Sequence, residues 1–523
     1  MKKIALLSNS VTGVLEKYFK DYSVTHLELG NIVPTLYTPI QVDYLIIILD
    51  YSYYFDGFIS DEAFERMSFL ENAILAFRES NRSVKILITN IMYIFPEVCM
   101  GSQFDHRYEL MKINLAIGNL SNKCSDLAIL DFHSIGMKLG FDATYNLKNK
   151  FLFQFPYTKK SIELLIDEIY VKLKILDSPR KKVLAIDADN TLWGGVVGEE
   201  GAKGVHIDEN YPGIAYKYFQ HYIKHLKETG VLLVLVSKNN YQDVKEVFKV
   251  RKMPLEWDDF IIKKINWLPK SQNLAEVAIE LNLSLESFVF IDDSAFEVNE
   301  VKDSLGSVDS YQLDENNPLE NLKIVENISG LKALRITEED QKKYNFYQKE
   351  AERNQEKDKF YSADKFLKSL NIKIFYNINN RENLARIAQL IGKTNQFNLT
   401  TKRYTQSEVG ALMEYSQVFD FRVEDRFGDM GIVGVVIVKN NEIDTFLLSC
   451  RVLGRKIERK MLKIVQENIN NSKIRASYLK SQKNSQVEGF YESMGCKISL
   501  SEPHRKQYIV DNEIKDVSFI NKG

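Results

Sequence analysis

A chain of 523 residues, 45% hydrophobic and 27% charged, has apolar mass for about three folded domains. Its formal net charge of −2 excludes a general electrostatic pull toward nucleic acid or anionic membrane. Cys99, Cys124, Cys450 and Cys496 form no C-x-x-C pair, which excludes a disulfide framework and a cysteine zinc site. Reduced thiols in a cytoplasmic protein are expected. The apolar run in MKKIALLSNS is too short for a signal peptide, and the longest apolar runs are strand-length, so no membrane span is predicted.

Residues 3–7, 44–49, 84–89 and 127–130 read as buried strands, and 61–79 and 106–120 as helices. Strand–helix alternation predicts a parallel sheet covered on both faces. Ser8, Ser10, Asn90, Asp131 and His133 follow strands, an order that resembles SGNH-type hydrolases, although here the Asp and His are two apart rather than three. A helix over 160–176 and the turn Asp177-Ser178-Pro179 close a domain over residues 1–178.

The central third holds the chemistry. VLAIDADNTLWGG is a buried strand ending on Asp187, with Asp189 two residues on. Carboxylates at i and i+2 beyond an apolar strand can face one ligand, as a nucleophile beside a general acid or as oxygen ligands of a divalent cation. GGVVGEEGAKGVHI reads as a flap hairpin, followed by a helix over 213–229. A strand over 231–236 then leads into Ser237-Lys238-Asn239-Asn240. Trp267-Leu268-Pro269-Lys270 opens another helix, and a strand over 288–291 ends on Asp292-Asp293.

These four clusters, in this order, resemble the haloacid dehalogenase (HAD) superfamily of phosphotransferases. The resemblance implies Asp187 as nucleophile, Asp189 as general acid/base, Ser237 as phosphate-binding hydroxyl and Lys270 as neutralising cation. It implies Mg²⁺ held by Asp187, the Asp189 backbone carbonyl and Asp292, with Asp293 beside it. The residue types suit the reaction: a carboxylate approaching a phosphoryl group needs cations to screen repulsion. The short segments after Asp187 and after Ser237 leave no room for a cap domain, so an open site over residues 179–330 is expected.

A charged connector follows over 331–365, with a helix from Thr337 to about 356. Residues 419–424, 431–438 and 444–449 read as antiparallel strands, with Asn440-Asn441 as a hairpin turn. Arg451, Gly454 and Lys456 then precede a helix over 457–469. This order over 366–523 resembles the GNAT acyltransferase fold, where a glycine-rich turn cradles coenzyme A phosphates. Asn484, Val487, Phe490, Tyr491 and Gly495 match a later GNAT motif, which implies Tyr491 as general acid. Lys456 replaces a small residue of the turn, a change that suits the single phosphate of a phosphopantetheine arm. The amide-rich loop KTNQFNLTTKRYT, with Asn395 and Asn398, reads as a recognition loop for such an arm.

Over its full length the chain resembles FkbH-like proteins, the HAD subfamily IIIC group. The expected fold class is α/β in three domains: a flavodoxin/SGNH-like doubly wound sheet, a capless HAD Rossmann-like sheet and a GNAT-like α+β domain. The resemblance implies transfer of a glyceryl unit from 1,3-bisphosphoglycerate, a small-molecule acyl phosphate, onto an acyl carrier protein in polyketide biosynthesis. Some members carry a cysteine just before the SKNN serine, where this chain has Val236; Cys450 is the other candidate thiol. The alternative is a phosphatase or N-acyltransferase acting on a sugar or nucleotide-sugar in surface-polysaccharide synthesis.

Overall fold

Near-continuous apolar runs need cover on both faces, and this chain provides it with parallel sheets. The computed structural model describes the chain except residues 56–61, 94–105, 125, 179, 335, 337–343, 345, 346, 348, 350–352, 354, 355, 357–359, 450, 451, 470–472, 482 and 511–513. Two compact units result: Met1–Lys270 with Glu286–Gln341, and Ser271–Leu285 with Lys342–Gly523.

The first unit contains two five-stranded sheets. In one, β1 (Lys2–Ser8), β2 (Tyr22–His26), β3 (Tyr44–Ile48), β4 (Lys85–Thr89) and β5 (Leu127–Leu130) pair in the order β2-β1-β3-β4-β5, all parallel. All five residues of β3 are buried, as a central strand requires. The edge strand β2, Tyr-Ser-Val-Thr-His, has no buried residue and so lacks the apolar run that marks its neighbours. The helix expected from residue 61 runs Ala63–Ser80, and residue 61 itself lies outside the described residues.

The second sheet comprises β6 (Val183–Ile186), β7 (Leu232–Ser237), β8 (Phe260–Ile265), β9 (Phe288–Asp292) and β10 (Asp309–Gln312), ordered β10-β9-β6-β7-β8 and all parallel. The order reverses between β6 and β9, which places the crevice of such a sheet beyond those two strands. Between β7 and Lys270 lie only helix Tyr241–Val250, the turn Trp257–Asp259 and β8, so no cap is inserted there.

The glycine-rich segment after β6 departs from the expected hairpin. It forms the helix Val197–Gly204, interrupted at Gly201, whose φ of 71° is left-handed. Only Gly194 and His206 pair as a hairpin would, through N–H···O bonds of 3.1 and 2.8 Å.

The second unit carries a nine-stranded mixed sheet: β11 (Lys373–Ile378), β12 (Phe397–Asn398), β13 (Gln417–Asp425), β14 (Gly428–Lys439), β15 (Glu442–Leu448), β16 (Ile474–Leu479), β17 (Lys497–Glu502), β18 (Arg505–Val510) and β19 (Asn521–Lys522). Asn440 and Asn441 have φ of 51° and 59° and join β14 to β15 as the expected two-residue turn, with Lys439 opposite Glu442. The parallel strands β15 and β16 pair only at Glu442↔Arg475 and Ile443↔Ala476. Farther along, the chain's own segment stands between them. β12 pairs with β15, Leu399 N–H donates to the Phe446 carbonyl at 3.0 Å, and the Leu479 N–H donates to the Leu399 carbonyl at 2.8 Å. Most of the connector helix expected from Thr337 falls outside the described residues. Among the described residues no helix is long and apolar enough to cross a membrane.

Candidate active site

The carboxyl ends of the central strands of the second sheet gather its polar residues. Val183–Ile186 is wholly buried, and the strand delivers Asp187 to the crevice at 5% exposure. β9 ends there on Asp292, 1% exposed, followed by Asp293. Helix Lys270–Leu281 begins on Lys270, itself 3% exposed.

Lys270 ties the two strands together. Its Nζ donates to Asp187 Oδ1 at 2.7 Å and also to Asp292 Oδ2. Burial alone would lower the ammonium pKa, but Asp187 and Asp292 outweigh it and hold the pKa above its usual range. Burial, then the Asp187 charge, raises Asp292 well above the ordinary carboxylate range; Lys270 and the Ser294 N–H, 2.9 Å from Asp292 Oδ1, oppose the rise. The same two causes push Asp293 up to about 6.

Asp187, Asp292 and Asp293 each bring a carboxylate oxygen within 4.8 Å of the others, the only such cluster among the described residues. This crowding of hard oxygens, costly in charge without a cation, fits Mg²⁺. Asp189 contributes no carboxylate to that cluster; only its backbone carbonyl is assigned to the metal by the sequence resemblance. Its Oδ1 accepts from the Trp193 indole N–H at 2.9 Å and the Val197 backbone N–H at 3.1 Å. Its Oδ2 accepts from Asn239 Nδ2 at 2.9 Å. Burial nevertheless raises the Asp189 pKa against these donors, and Asp187 adds to the rise. A carboxyl raised in this way holds its proton more readily than an exposed one, which suits a general acid.

Ser237 closes the group at the end of β7, 1% exposed, with its Oγ accepting from Asn239 Nδ2 at 3.1 Å. Asn239 and Trp193 are the residues that motif reasoning passed over. The loop between Asp187 and Trp193 turns at Asn190, whose φ is 50° and whose Oδ1 accepts from Gly195 N–H at 2.9 Å.

The residues expected in a pantetheine site are placed differently. Arg451, like Cys450, lies outside the described residues. Gly454 and Lys456 have φ of 79° and 63° ahead of helix Ile457–Asn468, and Lys456 Nζ pairs with Asp364 at 2.8 Å. Asn395 is exposed and accepts from Arg403 Nη2 at 2.5 Å. Asn398 is fully buried: its Oδ1 takes the Thr401 N–H at 2.9 Å and the Thr400 N–H at 3.3 Å, and its carbonyl takes Asn484 Nδ2 at 2.9 Å. It braces the loop, because a side chain directed inward has no face to offer a ligand. Tyr491 is likewise fully buried, against Phe490 and Tyr508. In the N-terminal sheet Asp131 caps helix Phe132–Leu139 through Ser134 and accepts from Asn90 Nδ2 at 2.7 Å, forming no bond to His133.

No family model matches the chain, and no curated protein does. Among solved structures it is similar to the N-terminal part of BF1531 from Bacteroides fragilis, which contains a phosphatase domain and was crystallised with Mg. Identity is 23%, the match covers 64% of this chain and 95% of that one, and the TM-score is 0.55. That likeness shows the fold. A second match, the apo form of FdhC, a nucleotide-linked sugar GNAT, has 13% identity, covers 26% of this chain and 85% of that one, and has a TM-score of 0.20.

Proposed function

We propose that this chain is a Mg²⁺-dependent HAD-type phosphatase or phosphotransferase. The observation that carries the reading is Lys270 bridging Asp187 and Asp292 beside Asp293, with Asp189 held separately by Trp193, Val197 and Asn239. Mg²⁺, held by Asp187, Asp292, Asp293 and the Asp189 carbonyl, would supply charge neutralisation at the transferring phosphoryl group. An Asp187 carboxylate oxygen attacks phosphorus, forming one P–O bond as the bond to the leaving oxygen breaks. Asp189 delivers its proton to that oxygen. It then removes a proton from the water that attacks the aspartyl-phosphate, releasing phosphate and restoring Asp187. Ser237 and Lys270 position the phosphoryl oxygens.

The finer reading is FkbH-like: the substrate is an acyl phosphate of the 1,3-bisphosphoglycerate type, and the acceptor is the phosphopantetheine thiol of an acyl carrier protein. In that transfer Asp187 is not the nucleophile: with Asp292 and Asp293 it would hold the Mg²⁺ that neutralises the departing phosphate. The sulfur attacks the carbonyl carbon, the C–S bond forms, the C–O bond to phosphate breaks, and the thiol proton leaves through Asp189. The lack of a cap inserted between β7 and Lys270 supports it, as does the turn at Gly454 and Lys456 before a twelve-residue helix. Val236 is buried in β7, so acyl transfer here proceeds without a cysteine at that position. Incubation with 1,3-bisphosphoglycerate, Mg²⁺ and holo-carrier protein tests both levels. A glyceryl mass gain on the carrier, lost in Asp187→Asn, is expected. Phosphate release without mass gain would leave only the phosphatase reading, and neither result would leave none of it standing.

A further inference from the structure

The carboxyl edge of the N-terminal sheet carries a second polar centre that the phosphoryl chemistry does not use. In the order β2-β1-β3-β4-β5 the reversal falls between β1 and β3, where such sheets open a crevice beyond the strand ends. A cleft of about 470 Å³ lies there. Asn9 and Ser52, just beyond those strands, line it together with Val33, Tyr53, Arg66 and Phe69. Its size is that of a small-molecule site.

The floor is pre-organised. Asp50, 3% exposed, accepts from Asn9 Nδ2 at 2.9 Å, Ser10 Oγ at 2.7 Å, the Ser52 N–H at 2.8 Å, Ser52 Oγ at 2.6 Å and Lys150 Nζ at 2.5 Å. Asn9 Oδ1 accepts the Asp50 N–H at 2.9 Å in return. A buried ion pair is a poor source of stability but an effective way to fix its neighbours, and the neighbours fixed here are the cleft residues Asn9 and Ser52.

Arg66, on helix Ala63–Ser80, brings positive charge to the cleft. Its Nη1 donates to the Tyr53 carbonyl at 3.2 Å and its Nη2 to Glu62 Oε2 at 2.9 Å, which among the described residues leaves Nε and one hydrogen on each terminal nitrogen. The Glu62 side chain is 68% exposed, so that pair is weak and readily exchanged for a ligand anion. Tyr53, Phe69 and Val33 add apolar wall.

Ser52 Oγ, which donates to Asp50 and accepts from Asn9 Nδ2 at 3.2 Å and Lys150 Nζ at 2.9 Å, fixes Asn9. We propose that this cleft binds a small organic anion, its carboxylate or phosphate replacing Glu62 on Arg66 and its hydroxyl-bearing body donating to the second lone pair of Asn9 Oδ1. The site is independent of the phosphoryl-transfer reading. The test is calorimetric titration of the full chain carrying Asp187→Asn, without Mg²⁺, using glycerate, glycerol 3-phosphate and glycerol as probes. Binding of one or both anions is expected, and which one binds separates carboxylate from phosphate recognition. Glycerol is expected not to bind. Adding Arg66→Ala or Asn9→Ala should weaken binding about tenfold or more, equivalent to about 1.4 kcal/mol. An unchanged circular-dichroism spectrum and thermal melt of the single Arg66→Ala chain would show the fold intact. Anion binding unaffected by either substitution, glycerol binding as tightly as the anions, or no anion binding up to about 10 mM would each overturn the proposal.

Discussion

Asn239 donates one amide group to two acceptors, Asp189 Oδ2 at 2.9 Å and Ser237 Oγ at 3.1 Å. It couples the proposed acid/base to the proposed phosphate-binding hydroxyl. Because it stabilises the ionised form of Asp189, its loss must raise a pKa that burial has already raised. Asn239→Ala should lower kcat on p-nitrophenyl phosphate by roughly ten- to a hundredfold, within the range of general acid–base catalysis. It should also move the limb of the pH–rate profile that reports Asp189 toward higher pH. A profile that drops without moving would assign Asn239 to packing alone.

Lys270 donates to two buried carboxyl groups at once. Lys270→Met keeps the volume and removes the charge, leaving Asp187 and Asp292 facing each other. Without Mg²⁺ this should cost about 3–5 kcal/mol, the usual penalty for an uncompensated buried charge. Adding Asp292→Asn should recover part of the loss. Urea denaturation of the single and double variants measures both, and a double variant less stable than the single would refute the assignment.

Burial and the Asp187 charge push Asp293 up to about 6 from an ordinary 3.8, and raise Asp292 further. The folded, metal-free chain therefore holds more protons than the unfolded one across that interval. The stability contribution of this cluster is full below about pH 4 and falls as pH rises through the folded-state values. A cation that replaces those protons must stabilise more as pH rises. The Mg²⁺-induced increase in Tm should be larger at about pH 8 than at about pH 5. Equal increments in a thermal melt would count against these carboxylates as the metal site.

Asn398 bonds inward to Thr400, Thr401 and Asn484. Asn398→Ala should destabilise the C-terminal unit by about 1–3 kcal/mol, the cost of leaving buried partners unsatisfied. Hydrogen exchange on the segment from Phe397 to Thr401 should accelerate. The KM for a carrier protein should stay unchanged, since the side chain faces no ligand; a raised KM at unchanged exchange would restore it to the ligand site.

The acids of the crevice were legible because each ends a buried strand: an apolar tetrapeptide before Asp187 or Asp292 announces both the strand and the place where it stops. Lys270 was legible as a helix start in the right order. Asn239 and Trp193 were not, because their value lies in what they donate to, and a sequence shows no partner four residues or fifty away. The edge strands β2 and β10 escaped notice for the opposite reason, since solvent on one side removes the apolar run that betrays central strands. The helix Val197–Gly204 was hidden by its own glycines, which lower helix propensity and here also break the helix at Gly201.

The short strand β12 has one more consequence. Its backbone occupies the opening between β15 and β16 and takes hydrogen bonds on both sides. An extended ligand entering that gap would compete with a rival that is covalently attached and never diffuses away. For a short tether that rival acts as if present at millimolar concentration. Any ligand of the C-terminal sheet that needs those same backbone groups must therefore outbid the chain itself, and one bound from another face need not.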